Sequence, residues 1–423
     1  MLFSIQRSRS CAVVAAGVAV LSLALAACGS SGGADGHSGS GGGSSASAVD
    51  TAVFGTPHKA TGSPIVIGIN NPGKSDSVDT STENAASRAL VKYANAYLGG
   101  INGHVIKLRE CDTQDTPAKE IDCANQAVKA KVSAIVQATG DDPTITTATK
   151  AGTPVFDGVT SSQVGLSAKG AFSMGNSVAD FGAMADYAKQ HKITKGAMFV
   201  IDVPGASGPA KKLAPAFFKN AGGSLTVTAI APGTADLTPQ VQTQQSKNPG
   251  LYYVVGDPTF CSSALKAIKT LSSSTPTMIL DTCISQKSSA IPGGYAGLKT
   301  ITATPSDPKD KDYQLFTAIQ KKYNGATDNQ ALFGYAPLLG LIRVLNAAKI
   351  TDTSPAGTLK AIQTAPAVPL PLGHGAKLRC DGTAVSLSKN ICAAAIFVAD
   401  TAEDGALSNF KALDDSSIYQ IGH

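Results

Sequence analysis

The chain has 423 residues, with 35 Lys and Arg against 30 Asp and Glu, for a formal net charge of +5. The lysines are scattered singly, as at Lys119, Lys129, Lys150 and Lys189, which excludes a basic face for nucleic acid and a polybasic lipid-binding run. Aromatic residues make up only 5% and Trp is absent, which argues against a carbohydrate site built on stacked rings.

Arg7 and Arg9 precede an apolar run from Cys11 to Ala27 that closes as Leu25-Ala26-Ala27-Cys28-Gly29. A charged start, an apolar centre and small residues before the cut make a secretory signal over residues 1–27. A cysteine directly after Leu-Ala-Ala resembles the bacterial lipobox, in which the thiol of Cys28 is lipidated and becomes the new N-terminus. An uncleaved membrane anchor is the alternative, since the run is borderline in length for a span. Either way the remainder is expected on the extracellular face of the cell membrane. Residues 28–63 are mostly Gly, Ser and Ala. They cannot bury enough apolar surface to offset their conformational entropy, so a disordered tether reaching roughly 30–35 Å is expected.

The remaining stretch is too long for one ordinary core, so two domains are expected. Short apolar strands alternate with amphipathic helices along it. Pro64–Ile69 reads as a buried strand and Ala85–Tyr97 as a helix, closed by Gly99-Gly100 in a left-handed cap. A strand His104–Leu108, a helix Pro117–Lys131 and a strand Ser133–Val136 follow. The next helix has Asp142 as N-cap and Pro143 in its first turn, and Pro154-Val155-Phe156 continues the series. A second series places strands at Ala197–Ile201, Leu225–Ile230, Leu251–Val255 and Thr277–Leu280. Its helices cover about 207–219, 236–246 and 259–271. Such alternation implies two doubly wound α/β domains with parallel sheets, whose ligands bind at the carboxyl ends of the strands.

Beyond the signal and Cys28, six cysteines remain. An exported location favours oxidation, and the short separations favour Cys111 with Cys123, Cys261 with Cys283, and Cys380 with Cys392, free thiols being the alternative. No Cys or His spacing suggests zinc. No P-loop, G-x-G-x-x-G or G-x-S-x-G elbow is present. No cofactor, metal or catalytic residue is therefore expected, and the chain does not read as an enzyme.

Tyr93-Ala94-Asn95-Ala96-Tyr97-Leu98-Gly99-Gly100-Ile101-Asn102-Gly103-His104 resembles the N-x-x-GGINGH signature of type I periplasmic binding proteins, which include the leucine/isoleucine/valine-binding proteins of ABC importers. Ile106-Lys107-Leu108, Asp112, Asp115, Ala134-Ile135-Val136, Asn220-Ala221-Gly222-Gly223, Tyr252–Gly256 and Leu332–Ala336 follow in the family's order. The resemblance implies two Rossmann-like lobes around a ligand cleft, with lobe 1 at 64–175 and 302–365 and lobe 2 at 176–301 and 366–423. Leu378–Val398 would be a hairpin stapled by Cys380 and Cys392. It also implies hinge closure on a small solute and delivery to an ABC permease in the membrane by a monomeric binding protein. A rival use of the fold is a sensor that signals to a membrane partner.

In amino-acid-binding members, hydroxyls and backbone N–H groups of lobe 1 hold the α-carboxylate, and an acid of lobe 2 pairs with the ammonium. Here Thr160, Ser161 and Ser162 follow the fourth strand, where they serve as ligand groups, as an N-cap series, or both. Asp281 follows Thr277–Leu280 at the position of the ammonium-binding acid; a solvated loop acid or helix cap is the alternative. Asn71, after the first strand, and Tyr335, in the last matching motif, join the candidate ligand set. Gly140-Asp141-Asp142 departs from the family's small hydroxyl residues, and two acids there would repel a carboxylate. No ring follows Asp202. A cationic, polyhydroxylated or amide-bearing solute would suit Asp141, Asp142, Asp257 and Asp281 better than an α-amino acid.

Overall fold

A computed structural model of the chain describes residues 51–74, 79–160, 162–176, 178–271, 273–285 and 291–420. The signal, the lipidation site at Cys28 and Ser161 lie outside these residues. The first run comprises β1 (Gly62–Asn71), α1 (Ser81–Tyr97), β2 (His104–Asp112), α2 (Pro117–Lys129), β3 (Ala134–Thr139), α3 (Asp142–Lys150), β4 (Val155–Thr160), α4 (Gln163–Ser167) and β5 (Ala171–Asn176). Next come α5 (Ala179–Gln190), β6 (Lys195–Ile201), α6 (Pro204–Asn220), β7 (Ser224–Ile230), α7 (Thr238–Gln245), β8 (Leu251–Val255), α8 (Pro258–Thr270), β9 (Thr277–Leu280) and β10 (Lys299–Thr302). Three helices follow: α9 (Lys311–Tyr323), α10 (Asn329–Ala347) and α11 (Pro355–Thr364). The chain closes with β11 (Val368–Pro369), β12 (Lys377–Leu378), β13 (Ile396–Thr401) and β14 (Leu407–Leu413).

The first sheet is parallel and ordered β2-β1-β3-β4-β5. Successive strand residues point to opposite faces, and both faces are apolar, as a doubly covered parallel sheet requires. Ile65, Ile67, Ile69, Val136 and Phe156 pack with α1, α9 and α10. Val66, Ile135, Val155 and Ala171 pack with α2, α3 and α4. The second sheet is ordered β14-β13-β10-β9-β8-β6-β7, parallel from β10 to β7, with β13 and β14 antiparallel at the β10 edge. It is covered by α5 and α6 on one face and by α7 and α8 on the other. The doubly wound α/β architecture is as expected.

Several expectations are corrected. Asp142 is the first helical residue of α3, and the N-cap is Asp141, whose side chain makes no capping bond. The strand β5 was not anticipated, because Ser173 and Gly175 interrupt its apolar run. Leu378–Val398 is not a hairpin. Leu378 pairs with Val368, and β13 pairs with β10 and β14. Between them Ser173 donates to the carbonyl of Asn390 (2.8 Å), and Cys392 donates to that of Ser173 (2.8 Å).

Residues 366–380, expected with the second lobe, pack in the first core through Val368, Leu370, Leu372 and Leu378. Arg343 on α10 makes a bidentate pair with Asp312 on α9 (2.8 and 2.6 Å) and also donates to the carbonyl of Pro369. Asp312 in turn accepts from the N–H of Leu372. The tether likewise ends earlier than residue 63. Thr51–Phe54 forms a 3-10 turn, and Phe54 is buried against Tyr93 and Tyr97, 5.4 and 5.2 Å between ring centroids. Backbone bonds from Gly99 to the carbonyl of His58 (2.6 Å) and from Ala60 to that of Asn95 (2.8 Å) hold the same segment.

The Gly-Gly-Ile-Asn-Gly signature is a structural clasp. Gly99, Gly100, Asn102 and Gly103 all have positive φ. Asn102 bonds the side chain of Asn346 and the carbonyl of Ile350, tying the turn to the end of α10. All three expected disulfides are present, linking Cys111 with Cys123, Cys261 with Cys283 and Cys380 with Cys392. Phe54→Ala should destabilise the folded domain by about 3 kcal/mol, the usual result of emptying an aromatic site. Chemical denaturation checks this, and an unchanged midpoint would show that the segment does not clasp the domain in solution.

Candidate functional site

At the carboxyl edge of the first sheet the apolar pattern breaks. Gln137, Asp157 and Ser173 lie in register on β3, β4 and β5, and Asn70 occupies the same face on β1. All four are buried. Both carboxyl oxygens of Asp157, Oε1 of Gln137 and both side-chain polar atoms of Asn70 lack a hydrogen-bond partner among the described residues. Gly140 lies over this row. A Cβ there would sit 2.7 Å from Oδ2 of Asp157 and 2.9 Å from Oγ1 of Thr160, so only glycine lets the loop pass.

Asp141 follows, half-buried, and accepts from Nε2 of Gln137 at 3.3 Å. Burial, then the nearby charges of Glu120, Asp115 and Asp142, push its carboxyl up to about 7. Burial and the charges of Asp141 and Asp142 hold Asp157 well above the usual carboxylate range. Glu83, in the first turn of α1, is also pushed up to about 7. Burial is the main cause, opposed by the amide of Gln330 and reinforced by Asp141. Burial raises Glu120 too, helped by Asp115 and Asp142. Glu83 is fixed by helix packing: a Cβ at Gly334 on α10 would lie 2.2 Å from its carbonyl oxygen, so α1 and α10 meet backbone to backbone.

The other candidates of this half are dispersed. Asn71 is buried and engaged: its amide donates to Asn84 (3.2 Å), its oxygen accepts from the N–H of Ala138 (3.0 Å), and Asn84 continues to Asp112. It braces β1, β3 and α1. Thr160 is buried at the end of β4. Ser162 caps α4 by accepting from the N–H of Gly165 at 2.8 Å. Tyr335 lies in the first core, edge-on to Phe316 at 5.0 Å between centroids.

In the second half, Asp281 opens a single 3-10 turn, Asp281–Cys283, at the carboxyl end of β9. Burial raises its carboxyl, against hydrogen bonds from the Thr302 side chain and the Thr282 backbone. The Cys261–Cys283 disulfide ties this turn to α8. Asp180, in the first turn of α5, is pushed up to about 7 by burial and by the charge of Asp281. Its carbonyl accepts from the hydroxyl of Tyr253 at 2.8 Å. Asp257 does not join them. It is exposed and caps α8, accepting from the N–H groups of Thr259 and Phe260 (2.8 and 3.0 Å).

A separate cavity, lined by Met174, Ala303, Phe333, Leu370 and Ile396 among others, lies where the chain passes between the two cores. Its lining carries no ionisable group.

Two doubly wound sheets joined by three crossings, with polar groups at their carboxyl edges, have a counterpart among known proteins. Residues 64–390 match the family model described as periplasmic binding protein. The chain belongs to the periplasmic binding protein family. Its fold is the type I fold, and the family binds solutes for transport rather than catalysing reactions. Similar solved structures include a putative branched-chain amino acid ABC transporter from Rhodospirillum rubrum (TM-score 0.70, 14% identity, 82% of this chain and 99% of that one). LivJ of Streptococcus pneumoniae, a branched-chain amino acid transporter substrate-binding protein in complex with isoleucine, is another (0.59, 16%, 82% and 99%). A fatty acid ABC transporter substrate-binding protein from Thermomonospora curvata is a third (0.58, 16%, 86% and 96%). No curated protein matches the sequence.

Sequence reading missed Glu83, Asp157 and Asp180. Asp157 carried a usable signal, an acid inside the apolar run Val155-Phe156-Asp157-Gly158-Val159, where an unpaired charge is costly. Glu83 and Asp180 sit in first turns, where acids are ordinary, and carried none.

These raised carboxyls set the pH dependence of the ligand-free protein. Between roughly pH 4 and 7 the unfolded chain releases protons that the folded chain retains, so stability falls as pH rises through that window and then levels. For Glu83, raised from 4.5 to about 7, the penalty at pH 7.5 is about 3 kcal/mol. Glu83→Gln should therefore stabilise the protein by up to about that amount at pH 7.5 and by nothing at pH 4. Urea unfolding at the two pH values checks it; equal effects at both would show that Glu83 ionises freely in the fold.

Proposed function

We propose that the chain is an exported, lipid-anchored solute-binding protein that closes on a small polar solute and passes it to an ABC permease. The observation that carries this reading is the placing of carboxylates at the edges of both sheets, Asp141 and Glu83 at the starts of α3 and α1 on one and Asp281 and Asp180 after β9 and at the start of α5 on the other. Three chain crossings join the two cores, near 177, near 303 and between 380 and 395. Ligand contacts made to both halves would stabilise the closed arrangement over the open one.

A lipid on Cys28 would hold the domain at the membrane, and residues 29–50 would act as leash up to the clasp at Phe54. Family membership supports transport, and similar structures described with isoleucine or leucine make amino acids one class to test. The acids at the first sheet's edge favour solutes without a free carboxylate.

A thermal-shift screen of the full chain against amino acids, amides, polyols and amines should find at least one small solute that raises the melting temperature. A ligand at a hundred times its Kd adds about 2.7 kcal/mol. Failure of every class would remove the solute-binding reading. Deleting the chain should lower cellular uptake of the stabilising solute; unchanged uptake would sink the delivery step. Cys28→Ser should move the protein from the membrane fraction into the medium or leave it unprocessed, and a normal membrane-bound product would exclude lipid anchoring through that thiol.

A further inference from the structure

We propose that the solute carries a net positive charge, with an ammonium or guanidinium group and no carboxylate, and that the cationic group contacts Asp141 at the carboxyl edge of the first sheet with Asp157 and Glu83 behind it. This rests on the solute-binding reading and deepens it.

The argument begins with missing countercharges. Among the described residues, every charge acting on Glu83, Asp141 and Asp157 is another carboxylate: Asp141 for Glu83; Glu120, Asp115 and Asp142 for Asp141; Asp141 and Asp142 for Asp157. The ion pairs found among the described residues involve none of the three. The arginines of α1 and α10 are paired elsewhere, Arg88 with Glu110 and Arg343 with Asp312.

An acid cluster alone is common on protein surfaces. Here a second observation sets it apart. Asp157 is wholly buried, with neither oxygen hydrogen-bonded, and it points under Gly140 towards the loop that carries Asp141. Oε2 of Glu83, on a residue 2% exposed, is also without a partner. Buried carboxyls left with open acceptor sites are rare in folded proteins and call for an occupant or a function. A cation supplies both the charge and the donors.

Among the described residues, two features that would serve an anion are taken. Asp141 and Asp142 occupy the N-terminal end of α3, the place where a helix would otherwise attract a carboxylate. The hydroxyl of Ser162 is committed to capping α4. An α-carboxylate placed here would meet acids on α1, α3 and β4 together. A positive group instead finds charge and hydrogen-bond acceptors that the fold has left unpaired.

Cation binding must displace protons held by Asp141 and Glu83, whose carboxyls lie at about 7. Affinity therefore rises with pH up to that value and levels above it. For one proton displaced, the gain from pH 5.5 to 7.5 is roughly twentyfold.

Isothermal titration of the full chain with putrescine, agmatine and spermidine, against leucine, isoleucine and acetamide, tests this at pH 5.5 and 7.5. The expected result is that at least one amine binds, tightens about twentyfold at the higher pH, and weakens at least about tenfold in Asp141→Asn. Glu83→Gln reads the same effect if Asp141→Asn fails to fold. Binding of leucine, isoleucine or acetamide alone would overturn the cation and leave solute binding standing. Amine binding that ignores both pH and the two substitutions would also overturn it. If no compound binds, the cation is overturned, while solute binding stands or falls by the wider thermal-shift screen.

Discussion

The contact on which the architecture depends is that between α1 and α10. The first sheet exposes Ile65, Ile67, Ile69, Val136 and Phe156 on one face, more apolar surface than α1 alone can cover. The missing cover comes from residues 311–364, well over a hundred positions downstream, after the second sheet has been laid down as far as β10. Burial at about 25 cal/mol per Å² makes that return strongly favourable. The return in turn forces the chain to pass between the cores repeatedly. Gly334 lets the two helices meet at backbone distance, and the residue it meets is Glu83. One packing contact therefore sets the connectivity and places an acid at the sheet's edge.

That edge is held against electrostatic cost. Asp141 and Asp142 sit at the start of α3, where the helix dipole favours a negative charge by about 0.3–1 kcal/mol. Displacement of Asp141 from 3.8 to about 7 corresponds to roughly 4 kcal/mol in the other direction before solvent screening of its half-exposed side chain, and about half of that after it. Burial and like charge outweigh the dipole. A fold optimised for stability alone would place apolar groups at Asp157 and Glu83, so acids at these positions point to use.

Much of this was legible before the structure. The strand–helix alternation fixed the doubly wound architecture because period and turn residues agree over nearly every element, and three short cysteine separations identified three disulfides. The site was legible only where acids stood in loops. Asp141 and Asp281 drew notice that way and do lie at strand ends, whereas Asp257 looked identical in sequence and is a helix cap. Tyr335 belonged to a matching motif, and its place is in the core against Phe316. Glu83 depends on a helix 250 residues away for its burial, which no local pattern encodes. The assignment of 366–380 failed for the same reason, because the Arg343–Asp312 pair that captures it is a long-range contact.

The third crossing differs from the other two in how firmly it is held. The loop between Cys380 and Cys392 is closed by a disulfide, pairs with Ser173 along β5, and donates from Asn390 to the carbonyls of Gly165 and Ala168. Its Val385 and Ile391 meanwhile pack in the second core. A segment bonded to one core and buried in the other cannot stretch freely. If the halves move as proposed, they would pivot on it, and the apolar cavity beside Met174, Ala303 and Ile396 would give side chains room to repack. A pivot fixed at one side would then convert a small rotation into closure over the carboxylates at the strand ends.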